Sequence, residues 1–118
     1  MLNMTVASDD GEVAVVHCEG DISQIFFQLG NPLEKLLGCL TFTRKIIINL
    51  ERVNFLDSSG LSWLVACHRK FQQQVGRLVL CGVPPRIWQV LQFCRMDNLF
   101  ETAEDEAAAR ALLRGDKP

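Results

Sequence analysis

The sequence predicts one α/β domain: a mixed, mostly parallel β-sheet of about five strands, with about four helices lying mainly on one face. Three observations carry this. A length of 118 residues suits a single domain. The chain opens with two β-rich runs joined by a short polar turn, which makes an antiparallel hairpin. After it, buried apolar strands alternate with amphipathic helical segments, and that alternation calls for parallel crossovers. No internal repeat, low-complexity stretch or linker divides the chain, so residues 1–114 read as the domain and Gly115-Asp116-Lys117-Pro118 as a flexible tail.

Leu2 to Ala7 has strand character, Ser8-Asp9-Asp10-Gly11 turn chemistry, and Val13 to Cys18 is a second strand. Ile22 to Leu29 can form a short helix that Gly30 interrupts. Asn31-Pro32-Leu33-Glu34 is a stronger start signal, with Asn31 as N-cap, Pro32 at the first helical position and Glu34 three residues after the cap; the helix runs through Leu36, Leu37 and Leu40. Lys45 to Leu50 is β-branched and apolar on both faces, as a central strand must be. Glu51 to Asp57 reads as a connection to a helix from about Ser58 to Gln74, with Leu61, Leu64, Val65 and His68 on one side and Gly76 as its stop.

Arg77 to Cys81 is another buried strand. Pro84-Pro85 can open a helix but not sit inside one, so Arg86 to Cys94 forms the third helix, with Ile87, Val90, Leu91 and Cys94 facing inward. Leu99-Phe100-Glu101 makes a last short strand. Thr102 caps a fourth helix, with Glu104, Asp105 and Glu106 near its positive end and Arg110 and Arg114 near its negative end.

Composition excludes more than it selects. Hydrophobic residues make up 48% and charged residues 22%, enough for an ordinary core, and the net charge is −2. Arg44-Lys45 and Arg69-Lys70 are isolated basic pairs, not the clustered stripe that neutralises nucleic-acid phosphates. No apolar run approaches the ~20 residues that span a bilayer, so no direct membrane insertion is expected. Met1-Leu2-Asn3-Met4 lacks the features of a signal peptide, which makes the cytoplasm the expected compartment. The five cysteines are odd in number and form no C-x-x-C pair; Cys18, Cys81 and Cys94, among aliphatic neighbours, read as small buried hydrophobes.

The stretch that invites a functional reading is Asn49-Leu50-Glu51-Arg52-Val53-Asn54-Phe55-Leu56-Asp57-Ser58-Ser59-Gly60-Leu61. Capping explains part of it: Asp57 or Ser58 accepts a bond from a free N–H of the first turn, a contribution of about 1 kcal/mol. Capping needs one side chain, however, and three polar ones stand in a row. Gly60 inside the first turn costs up to ~1 kcal/mol relative to Ala, which points to something packed close to the backbone. Trp63 lies four positions after Ser59 on the same helical face, either as part of a binding patch or as a partly buried core residue.

That run resembles the signature of STAS domains, most nearly those of bacterial anti-sigma factor antagonists. The resemblance extends to Gly20-Asp21-Ile22, to Gly76-Arg77-Leu78-Val79-Leu80 and to the proline-opened third helix. It implies a phosphorylation-controlled switch without catalysis by this chain. The unphosphorylated domain would bind an anti-sigma factor with serine-kinase activity and free the sigma factor. Phosphorylation of Ser58 would separate the pair, and a metal-dependent serine phosphatase would restore the starting state. The implied partner-binding residues are Asp57, Ser58, Ser59, Gly60, Trp63, Asp21 and Ser23, with no cofactor and no metal. Two departures stand out: Ser23 occupies a position where relatives usually carry an acidic residue, and Gly30-Asn31-Pro32 shortens the first helix.

Enzyme chemistry has little footing. His68 lies ten residues after Ser58 on one helix, roughly 15 Å along its axis, too far for a Ser–His pair. His17 stands alone in a strand, and no G-x-S-x-G, H-E-x-x-H or phosphate-binding glycine loop is present. The resemblance also admits an unphosphorylated accessory subunit of a membrane transport ATPase, or a subunit of a stress-sensing assembly.

Overall fold

The computed structural model describes residues 2–23 and 30–115. Five strands, β1 (Asn3–Asp9), β2 (Val13–Ile22), β3 (Lys45–Leu56), β4 (Arg77–Cys81) and β5 (Glu101–Ala103), form one sheet in the order β1-β2-β3-β4-β5. β1 runs antiparallel to β2, and every other neighbouring pair is parallel. Among the described residues there are four α-helices: α1 (Pro32–Leu37), α2 (Ser58–Gln73), α3 (Pro85–Phe93) and α4 (Glu106–Leu113). The helix expected over 22–29 lies outside the described residues except for Ile22 and Ser23, of which Ile22 ends β2. The expected tail lies outside them beyond Gly115.

Spatial order follows chain order from β2 to β5, so crossovers of one hand must all fall on one face. α1, α2 and α3 do: Leu33, Leu64, Cys67, Phe71, Ile87 and Leu91 pack on Ala14, Val16, Ile46, Ile48 and Leu80. α4 follows the last strand, belongs to no crossover, and covers the other face through Ala109 and Leu113 against Val13, Val15, Ile47, Val79 and Cys81. Ile46 and Ile47 thus serve opposite cores, which is why β3 begins with apolar residues on both sides.

Several boundaries differ from expectation, each for a local reason. β5 starts two residues later than expected, and Thr102 lies within it; Asp105 caps α4 instead, accepting from the Ala108 N–H at 2.8 Å. α1 stops at Leu37, so Leu40 is left exposed. α3 ends at Phe93, which puts Cys94 past the helix and in solvent; it is not an inward residue. Cys18 and Cys81 are buried as expected, and burial pushes both thiols up to about 12.

α2 does not stop on its glycine. Val75 takes the left-handed conformation at φ 63°, and the Gly76 N–H closes back on the Phe71 carbonyl at 3.0 Å. Gly76 is required for space instead: a Cβ there would be driven into the carbonyl oxygens of Phe42 and Arg44. A branched residue in this conformation carries roughly 1–2 kcal/mol of strain, and Val75 is 88% exposed, so it recovers nothing by packing. Val75→Gly should therefore stabilise the domain by about 0.5–1 kcal/mol after the extra chain entropy of glycine. Thermal unfolding checks this: Tm should rise by about 2–5 °C, and an unchanged or lower Tm would contradict it.

Candidate functional site

The site is built where β2 and β3 end and α2 begins. Asp57 is extended at φ −96° and caps α2: its Oδ1 accepts from the Gly60 N–H at 2.9 Å and from the Ser59 hydroxyl at 2.6 Å. Of the two candidate caps, Asp57 takes the role. Its own N–H donates to the Ile22 carbonyl at 3.2 Å, tying the start of the helix to the last residue of β2. Asp21 and Ser23 flank that tie, both half-buried, so the structure brings them to the same rim as the Asp-Ser-Ser-Gly turn.

Gly60 explains itself here. A Cβ would be driven into the Ile22 carbonyl oxygen and would stand 2.7 Å from Ile22 Cγ2 and 2.8 Å from Leu56 Cδ1. The bare backbone lets the first turn lie directly on the end of β2, the close approach that a glycine in this place implies. Ser59 is drawn inward by its bond to Asp57. Ser58, the first helical residue, is exposed, and no side-chain hydrogen bond joins it to another described residue. The two serines are chemically identical and geometrically opposite: one is a structural donor, the other a hydroxyl presented to solvent at the positive end of a 16-residue helix.

Trp63 does not belong to this surface. It is 0% exposed, and its indole N–H donates to the Asn31 side-chain oxygen at 3.0 Å. The same Asn31 oxygen caps α1 by accepting from the Leu33 N–H at 2.9 Å. Of the two readings left open for Trp63, the core one holds. Four-residue spacing from Ser59 placed it on a helical face but could not show that this side of α2 turns toward α1.

Two residues at the rim escaped the sequence reading. β3 does not end at Leu50; it continues to Leu56, paired with Glu19 to Ile22 of β2 through two register shifts. After each shift the apolar residue returns inward at a spacing of three, so Leu50, Val53 and Leu56 are buried while Glu51, Arg52, Asn54 and Phe55 stay out. Alternation of two is the usual strand signal, and this stretch lacks it. Phe55 is thereby left 52% exposed. The Asn54 carbonyl accepts from Arg86 Nη1 of α3 at 3.2 Å.

The histidines and acids elsewhere have structural tasks. His17 Nε2 lies 2.7 Å from Glu106 Oε2, and the Asn49 side-chain N–H donates to the same oxygen at 2.9 Å. The Asn49 bond, seconded by His17, holds the Glu106 carboxyl below its ordinary range and pins the start of α4 to β2 and β3. His68 packs edge-on against Phe100 with ring centroids 5.5 Å apart. Among the described residues no group of three or more His, Cys, Asp or Glu side chains could hold a metal ion, and no helix is long and apolar enough to cross a membrane.

A mixed five-stranded sheet, helices on the crossover face and a solvent-presented serine opening α2 define the class of domain. The STAS domain model matches residues 4–109, and the chain belongs to that family. It is 27% identical over 71 residues to the putative anti-sigma factor antagonist BtrV of Bordetella bronchiseptica, covering 60% of this chain and 61% of that protein. It is 32% identical over 62 residues to the anti-sigma-B factor antagonist of Staphylococcus aureus, covering 52% of this chain and 57% of that one. Each match thus spans less than two thirds of the relative. Among solved structures, the unphosphorylated form of the anti-sigma factor antagonist SpoIIAA superposes with a TM-score of 0.65 at 20% identity, over 96% of this chain and 99% of that one. The phosphorylated form of the Bacillus protein gives 0.59 at 23% identity, over 95% and 99%.

The close approach at Gly60 makes a prediction that helix propensity alone would reverse. At an ordinary helical position Gly60→Ala would gain up to ~1 kcal/mol. Here the new methyl meets backbone, and the variant should lose about 2 kcal/mol or more. Urea unfolding decides the sign; a stabilised variant would refute the packing of α2 on β2.

Proposed function

We propose that this chain is an anti-sigma factor antagonist that works as a phosphorylation switch and catalyses no reaction itself. Unphosphorylated, it binds an anti-sigma factor with serine-kinase activity, and the sigma factor is freed. The kinase transfers phosphate to Ser58 and the complex separates; a serine phosphatase resets the chain. It does so in the cytoplasm, without cofactor and without contact to nucleic acid. The observation that carries this is the exposure of Ser58 beside a Ser59 locked onto Asp57. The similarity to anti-sigma factor antagonists of Bordetella and Staphylococcus supports the same role.

The electrostatics explain why such a modification breaks an interface and spares the fold. A phosphoserine brings about −1.5 to −2 charges at neutral pH. At the N-terminus of α2 it meets the favourable end of the helix dipole, so the domain tolerates it. Asp57 is adjacent, and the rim becomes strongly acidic. A partner packed against it meets repulsion and desolvation of a few kcal/mol, where each ~1.4 kcal/mol is tenfold in affinity.

Ser58→Ala should fold, bind the anti-sigma factor and resist phosphorylation, while Ser58→Asp should bind at least tenfold more weakly at unchanged Tm. Calorimetric titration with the anti-sigma factor, alongside a kinase assay, measures both. Equal binding by the two variants would end the switch reading and favour an unphosphorylated scaffold, such as a transport-complex subunit.

A further inference from the structure

Six large hydrophobic side chains are exposed among the described residues: Val6, Leu40, Phe55, Val75, Phe93 and Leu99. Topology sorts them. Helices α2 and α3 start at the C-terminal ends of the parallel strands and run back, so Val75 and Phe93, at their far ends, lie at the opposite end of the sheet. Leu40 and Leu99 precede β3 and β5 and lie at that opposite end too, while Val6 sits within the edge strand β1. Of these six described residues, Phe55 alone occupies the rim where Ser58 is presented, three residues from it and no more than ~11 Å away even if the chain is fully extended.

Phe55 owes its exposure to a β-bulge. Gly20 pairs with Val53 and Asp21 with Phe55, so Asn54 has no counterpart on β2. The extra residue returns Leu56 to the core and turns Phe55 outward, next to Asp21. Bulges recur beside functional sites because they re-aim a side chain in this way. Arg86 is bonded to the carbonyl of the bulged residue itself. It stands in the first turn of α3, where the helix dipole disfavours a cation, so the position is explained by the bond and not by the helix.

We propose that Phe55 is the apolar anchor by which the anti-sigma factor grips this rim, and that Arg86 is a positioning residue holding the Asn54 bulge that aims it. The proposal rests on the switch reading above and adds a chemical demand on the partner: a hydrophobic pocket to take a phenyl ring, bordering the surface that meets Ser58. A half-exposed Phe contributes little to the fold, yet buries a large area when a partner covers it, and aromatic residues are enriched at such interface centres. The ring also gives the phosphate leverage, since charge added at the edge of an apolar contact must be desolvated for the ring to stay seated.

The test titrates the anti-sigma factor kinase against native protein, Phe55→Ala, Arg86→Ala, Arg86→Lys and Ser58→Asp, with Tm recorded for each. Phe55→Ala should weaken binding on the order of tenfold with Tm nearly unchanged. As a phosphorylation substrate it should show a raised KM at native kcat. Arg86→Ala should weaken binding by a few fold, and Arg86→Lys, which can still donate to the carbonyl, should recover most of it. If Phe55→Ala binds within about twofold of native while Ser58→Asp does not bind, the anchor is refuted and the switch stands. If Ser58→Asp binds like the native protein, the switch fails and the anchor with it. Native-like binding by Arg86→Ala refutes the part assigned to Arg86.

Discussion

The backbone oxygen of Ile22 holds together the end of this domain that carries the candidate site. It accepts the Asp57 N–H, and the bare Cα of Gly60 lies against it. Asp57, fixed from below by that bond, turns its carboxylate over the first turn of α2 and engages both the Gly60 amide and the Ser59 hydroxyl. What remains is Ser58, outward and exposed. Were the helix to ride farther from β2, as a side chain at position 60 would force, the cap would lose its footing and the distinction between the two serines would go with it.

As the proposed switch, this arrangement would separate two demands that usually conflict. A regulatory residue must change the surface strongly, and a domain of ordinary stability has only about 5–15 kcal/mol in hand. In the proposed switch, a phosphate acceptor at a helix N-terminus would let the fold absorb a new anion that an approaching protein could not. The core lies apart from the Ser58 turn: Trp63, one turn further along α2, points away from the rim and is bound to Asn31. α4, pinned through Glu106 to His17 and Asn49, closes the opposite face.

Much of this was legible in the chain. The alternation of apolar runs and amphipathic segments carried the parallel crossovers and the placing of most helices on one face, because right-handed crossovers leave few alternatives. Asn31-Pro32, Pro84-Pro85 and the pair Asp57-Ser58 announced helix starts because each does a local job that few residues do. The failures share a cause: they depend on tertiary partners. The second half of β3 was read as a connection because its two bulges replace alternation with a spacing of three, intelligible only once β2 lies beside it. Thr102 offers the chemistry of a cap, but β5 pairs with β4 through it, and the role passes to Asp105. Trp63 could be placed on a face of α2, while the direction of that face was settled by α1 and a buried asparagine. Phe55 and Arg86 were invisible for the same reason.

The asymmetry between neighbouring serines is the claim most exposed to measurement. Two forms of the domain, one with phosphoserine incorporated at position 58 and one with it at 59, can be compared with the unmodified chain by urea unfolding. The account predicts that the first stays within about 1 kcal/mol of the parent, its charge held at the mouth of the helix. The second should lose about 2 kcal/mol or more, because a donor to Asp57 becomes an anion pressed against it. Equal losses, or a larger loss at 58, would contradict the account.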